Sequence, residues 1–82
     1  GGKDDWTPAQ PCIALGDRIG AQLFVYPEAH HGFDSPTGKV RLRRDVPNGV
    51  NPGEGVHVGP HSASRADAYD KLKTILERLS FK

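Results

Sequence analysis

The run Leu23-Phe24-Val25-Tyr26, closed by Pro27, constrains this chain more than any other feature. Four consecutive apolar residues of high β-propensity, ended by a proline, read as a strand over 22–26 buried on both faces. Such a strand needs a neighbour on each side to satisfy its backbone N–H and C=O groups. Only one other short strand is legible, at Lys39 to Arg43, so the sheet is expected to be completed by another chain. An unpaired apolar strand is a template for its own copy, and closed two-fold pairing is the commonest solution. The sequence therefore predicts a homodimer or higher oligomer, unless a further segment supplies the missing strands.

Composition points the same way. The chain has 82 residues, 35% of them hydrophobic, with ten glycines and seven prolines, which is little material for an independent core. Eleven Lys and Arg stand against ten Asp and Glu, so no strong field favours nucleic acid or an anionic membrane. The basic cluster Lys39, Arg41, Arg43 and Arg44 alternates with Val40 and Leu42, as on an exposed strand with one charged face. One cysteine, Cys12, excludes an intrachain disulfide and a cysteine-based zinc site. With no long apolar run and no signal peptide at its start, the chain is expected to be soluble and cytoplasmic.

Local signals divide the chain into an acid-rich loop 1–7, a helix 8–19, the strand 22–26, a histidine loop 27–34, an irregular stretch 35–61 and a helix 62–79. Thr7 is a suitable N-cap, with Pro8 at the first helical position and Gln10 completing a capping box. Cys12, Leu15 and Ile19 share one face, which predicts a buried thiol, and Gly20 ends the helix. In the last helix Tyr69, Leu72, Ile75, Leu76 and Leu79 form a stripe, with Asp67 and Asp70 early and Lys71, Lys73 and Arg78 later. Between them, "SPTG", "VPNG", "NPGEG" and "VGPH" are turn signals.

"GGKDDWTPAQPC", followed about twenty residues on by "LFVYPEAHHGFD" and then by an amphipathic C-terminal helix, resembles the last third of the dienelactone hydrolase family of α/β-hydrolases. The resemblance covers nearly the whole chain and implies an α/β fold, present here as a partial, C-terminal segment ordered helix, strand, long loop, helix. It also implies a small ester or lactone substrate and no cofactor. The family's G-x-x-D-x-x-x-P stretch falls on Gly1, Asp4 and Pro8, which makes Asp4 the triad acid, with Asp5 the alternative one residue on. The family's base, before a small residue and Phe, falls on His31.

The chemistry needs both groups. An imidazole activates a serine or thiol nucleophile, and the carboxylate behind it fixes its tautomer and stabilises the imidazolium. No G-x-S-x-G or G-x-C-x-G elbow occurs, and Ser35, Ser62, Ser64 and Ser80 lack its setting. A strand is expected before Gly1, and the nucleophile is expected on an N-terminal hydrolase part or another chain. His30 reads as a loop residue and Trp6 as a packing residue. His57 and His61 are four apart, but Gly59-Pro60 prevents a helix, so they are not expected to hold a metal. Two function classes follow: the acid- and base-bearing part of an ester or lactone hydrolase, inactive alone, or a non-catalytic self-associating module derived from one.

Overall fold

The helix that follows the acid loop starts later than its capping signals predict. The computed structural model describes residues 1–80, the side chain of Ser80 excepted, and places α1 at Gln10–Ile19. Ala9 is its N-cap and makes no side-chain bond. Thr7 cannot serve because its hydroxyl is held by Asp4 and His31. Pro11 occupies the first turn, where a missing N–H costs nothing. Gly20 ends α1 in the left-handed conformation, φ 70°, as expected of a glycine there.

Residues 22–26 form no strand in this chain. A strand exists only through a ladder, and no described segment supplies one. The segment nevertheless lies between the two helices with alternating sides. Leu23 meets α1 at Gly16, whose added Cβ would stand 3.8 Å from the leucine side chain. Phe24 and Tyr26 face the second helix, with the Lys71 ammonium 4.7 Å from the Phe24 ring and the Tyr26 hydroxyl donating to Asp67 at 2.8 Å. That alternation is the side-chain pattern of an extended chain covered on both faces. Its covering is incomplete: Leu23, Phe24 and Val25 remain 44%, 39% and 40% exposed. Cys12 is also exposed rather than buried: it borders an open groove beside Leu23 and Phe24, and among the described residues the α1 face that carries it and Leu15 is left uncovered.

The stretch 35–61 is not irregular throughout. β1 (Arg41–Arg43) and β2 (Val56–Val58) pair antiparallel, with Arg41 opposite Val58, Leu42 opposite His57 and Arg43 opposite Val56. The strand expected at 39–43 is thus present but shorter, and its partner was hidden among turn signals because three residues are too few for a period to show. Val58 also bridges to His31 in parallel, Gly59 N donates to His31 O at 3.0 Å, and His61 N donates to Phe33 O at 3.0 Å. The hairpin is thereby sewn to the histidine loop at its base.

α2 runs Ser62–Ser80, within a residue of its predicted range. The architecture is a small mixed α/β arrangement of two helices and one two-stranded antiparallel sheet. Among the described residues, the buried apolar side chains are Ala29, Val46 and Val56, and neither helix packs on the other or on the hairpin. The surface is correspondingly large. The chain exposes 6091 Å², whereas a compact monomer of 8.9 kDa exposes about 4,800 Å². Its radius of gyration is 14.6 Å, against about 12 Å for a compact domain of this length. Among the described residues no helix is long and apolar enough to cross a membrane.

Candidate active site

The site grows from the N-terminal glycines. Gly2 N donates to Tyr26 O at 2.7 Å and Lys3 N to Ala29 O at 2.9 Å. A Cβ on Gly1 would stand 2.2 Å from Ala29 O, and one on Gly2 would stand 2.6 Å from the Pro27 Cα. Only residues without side chains allow this approach, and it sets the acid loop beside the histidine loop.

Asp4 then folds its own loop. Its Oδ1 accepts from Trp6 N at 2.9 Å and Thr7 N at 2.7 Å, an Asx-type turn. Its Oδ2 accepts from the Thr7 hydroxyl at 3.0 Å and lies 3.0 Å from His31 Nδ1. The Asp4 side chain is only 7% exposed, and that of His31 35%. Burial pushes the Asp4 carboxyl up, but the bonds from Thr7 and Trp6 backbone, the Thr7 hydroxyl and His31 outweigh it and hold the group below its ordinary value. An ionised Asp4 accepts a hydrogen bond from the N–H of His31 Nδ1, which leaves Nε2 as the basic nitrogen.

This has a consequence for stability. Because the native Asp4 pKa is depressed, its contribution is complete above the unfolded value of about 3.9 and is lost as pH falls through the native value. Asp4→Asn is expected to flatten the acid-side decline, read as the change in urea midpoint between about pH 6 and about pH 3. An unchanged decline would show that the pairing contributes nothing to folding.

His31 opens on a cleft of about 650 Å³ lined also by Trp6, Ser35, Lys39, Arg41, Arg43 and Val58. The Trp6 ring lies 4.6 Å from the His31 ring, and the Arg43 guanidinium is 5.8 Å from the Trp6 centroid. Trp6 thus packs beside the acid loop as expected, and also floors the cleft. Arg43 pairs with Asp45 at 2.6 Å, while Lys39 and Arg41 line the opening and, among the described residues, make no salt bridge, although the charge of Arg41 also acts on Asp45.

Asp5 turns the other way. Its Oδ2 lies 2.6 Å from His57 Nδ1, its Oδ1 accepts from His57 N at 2.8 Å, and its carbonyl accepts from Val50 N at 2.7 Å. Burial raises the Asp5 pKa, and the His57 side chain, backbone and charge bring it below the ordinary value. Asp4 and Asp5 therefore each hold a different histidine, and only Asp4 meets His31. Sequence reasoning missed the roles of Thr7 and His57; a separation of 52 residues between Asp5 and His57 leaves no local signal.

The remaining polar groups are engaged elsewhere. The His30 and His57 rings lie against each other at a tilt of 39°, with centroids 5.7 Å apart. His61 Nδ1 lies 2.6 Å from Ser64 Oγ and accepts from Ser64 N at 3.2 Å, a cap for α2. Ser64 is 4% exposed, and Ser35, though in the cleft, donates to Thr37 O at 2.9 Å. Among the described residues no serine hydroxyl or thiol bonds to His31, and no group of three or more His, Cys, Asp or Glu side chains is placed to hold a metal ion. No family model, curated protein or solved structure matches the chain.

Proposed function

We propose that this chain is the acid- and base-bearing part of an ester or lactone hydrolase of the dienelactone hydrolase type, with Asp4 as acid, His31 as base and the nucleophile carried by another segment or chain. The observation that carries this reading is the buried Asp4 carboxylate 3.0 Å from His31 Nδ1, with His31 on the wall of a cleft. In the assembled site, His31 Nε2 takes the proton of the attacking hydroxyl or thiol and returns it to the leaving oxygen. Asp4 stays ionised, and Thr7 steadies the oxygen that faces His31. Lys39 and Arg41 at the cleft suit a substrate that carries a negative charge besides its ester or lactone.

The layering supports the same reading. An extended apolar segment between two helices, bonded to the N-terminal loop only at Tyr26 O and otherwise without a ladder among the described residues, fits the place of a strand in a parallel α/β sheet. Supply of an N-terminal hydrolase part would complete the pairing of its edges.

The activity test follows from what the site lacks. Purified chain is expected to show no turnover of p-nitrophenyl acetate above an imidazole-matched control. Saturable turnover that His31→Ala abolishes would overturn this and make a residue of this chain the attacking group, with exposed Cys12 the first to examine.

A second reading is a non-catalytic self-associating module. What favours it is the surface: roughly 1,300 Å² beyond that of a compact monomer, much of it on apolar residues of α1, 22–26 and α2.

A further inference from the structure

The hairpin that walls the cleft buries only two apolar side chains, Val46 in its connection and Val56 in β2. Apart from Val56, which is fully buried, its strand residues are exposed or half-exposed, and two three-residue strands do not hold themselves in place. Its position over His31 must come from attachments. Those at its base are the bonds from Gly59 N to His31 O and from His61 N to Phe33 O. The attachment farther out is Asp5, which takes both the backbone and the side chain of His57 and, through its carbonyl, Val50 N.

We propose that Asp5 and His57 form a clamp that positions the β1–β2 hairpin against the histidine loop, and so holds Arg41 and Arg43 at the mouth of the cleft beside His31. Neither residue touches the reacting atoms; both are positioning residues. The backbone explains why one dipeptide serves both purposes. Asp4 folds inward to His31, its neighbour Asp5 is directed to His57, and the peptide between them fixes the base and the hairpin in one frame. Val56, adjacent to His57 and paired with Arg43, transmits the clamp to the strand whose guanidinium lies over Trp6. The value of the clamp to catalysis rests on the hydrolase reading above, but its mechanical action does not, and the test needs no turnover.

Trp6 is the only tryptophan and lies between His31 and Arg43, so its access to acrylamide reports where the hairpin stands. Asp5→Ala and His57→Ala in the full chain are each expected to raise the Trp6 quenching constant about twofold or more, by freeing the wall above the indole. Asp5→Asn is expected to leave it near the wild-type value, because the amide oxygen can accept from His57 N while the amide nitrogen donates to His57 Nδ1. His57→Ala leaves the acid loop unaltered, so it separates hairpin release from a local change beside Trp6. Amide exchange at Gly59 gives a second measure, expected to quicken about tenfold in His57→Ala once charge-assisted bonds are lost. Far-UV circular dichroism of α2 checks that each variant stays folded. Should either alanine variant unfold while Asp5→Asn does not, rescue by the amide still supports the clamp. Unchanged quenching and exchange in both alanine variants, or an asparagine variant as perturbed as alanine, overturns it.

Discussion

Asp4→Asn is expected to lower kcat by roughly 10⁴-fold in the proposed hydrolase once a nucleophile-bearing part is supplied, the scale of loss when a triad carboxylate becomes an amide. Asp5→Asn is expected to cost less than about tenfold, since the amide keeps the clamp on His57 and nothing at Asp5 reaches His31. The difference is one of tautomer. An amide at position 4 can present its N–H₂ to His31 Nδ1, which then accepts, and the proton moves to Nε2 where the base should be. Substitution at Asp4 should therefore move the proton from His31 Nδ1 to Nε2 in imidazole nitrogen spectra of the chain, even without turnover. Steady-state kinetics of the two variants decides between the aspartates. Equal losses, or the larger loss at Asp5, would place the acid one residue later.

The second large effect concerns assembly. At micromolar concentration the chain is expected to sediment as a homodimer or larger species, with Leu23, Phe24, Val25 and the α2 stripe in the shared core. Leu72 and Leu79 are 50% and 61% exposed, and completing the burial of such a side chain stabilises by about 1 kcal/mol or more. A charge placed there loses that gain and adds the cost of desolvating an ion. Leu72→Glu combined with Leu79→Glu should weaken association by about 100-fold or more. Because neither side chain belongs to the small core around Ala29, Val46 and Val56, helical circular dichroism should persist. Sedimentation equilibrium checks both statements. A cooperatively melting monomer of 8.9 kDa would refute self-association; a disordered monomer would mean that the proposed nucleophile-bearing part is required for folding.

The parts legible in the sequence were those set by period and by local chemistry. The stripe from Tyr69 to Leu79 marks α2 to within a residue, and Gly20 marks the end of α1, because each signal lies within a few positions of what it controls. The pairing of Asp4 with His31 came from a resemblance, since no periodicity relates positions 27 apart. The N-terminus of α1 was misplaced for an instructive reason. Thr7 has the chemistry of a cap, but an ionised carboxylate at Asp4 and an imidazole at His31 compete for the same hydroxyl. Cys12 was expected inside because it shares a face with Leu15 and Ile19, yet a face is buried only when something lies against it. Residues 22–26 have the composition of a strand; the ladder that would make them one is a property of partners.

The carbonyls of His31 and Phe33 receive the N–H groups of Gly59 and His61, so the chain departs from the base loop and returns to it at nearly the same point. Everything from Asp34 to Pro60 is an excursion that starts and ends at one doorway. Closing such an excursion costs only about 0.6 kcal/mol more for each doubling of its length. Its length can thus drift with little penalty for closure, provided that Val46 and Val56, two of the three buried apolar side chains among the described residues, and the bonds of Val50 and His57 to Asp5 are kept. The turns of the hairpin are exchangeable in this sense: loop lengths within the excursion set the shape of the cleft's cationic wall, while the doorway and the buried valines hold the wall to the frame of Asp4 and His31.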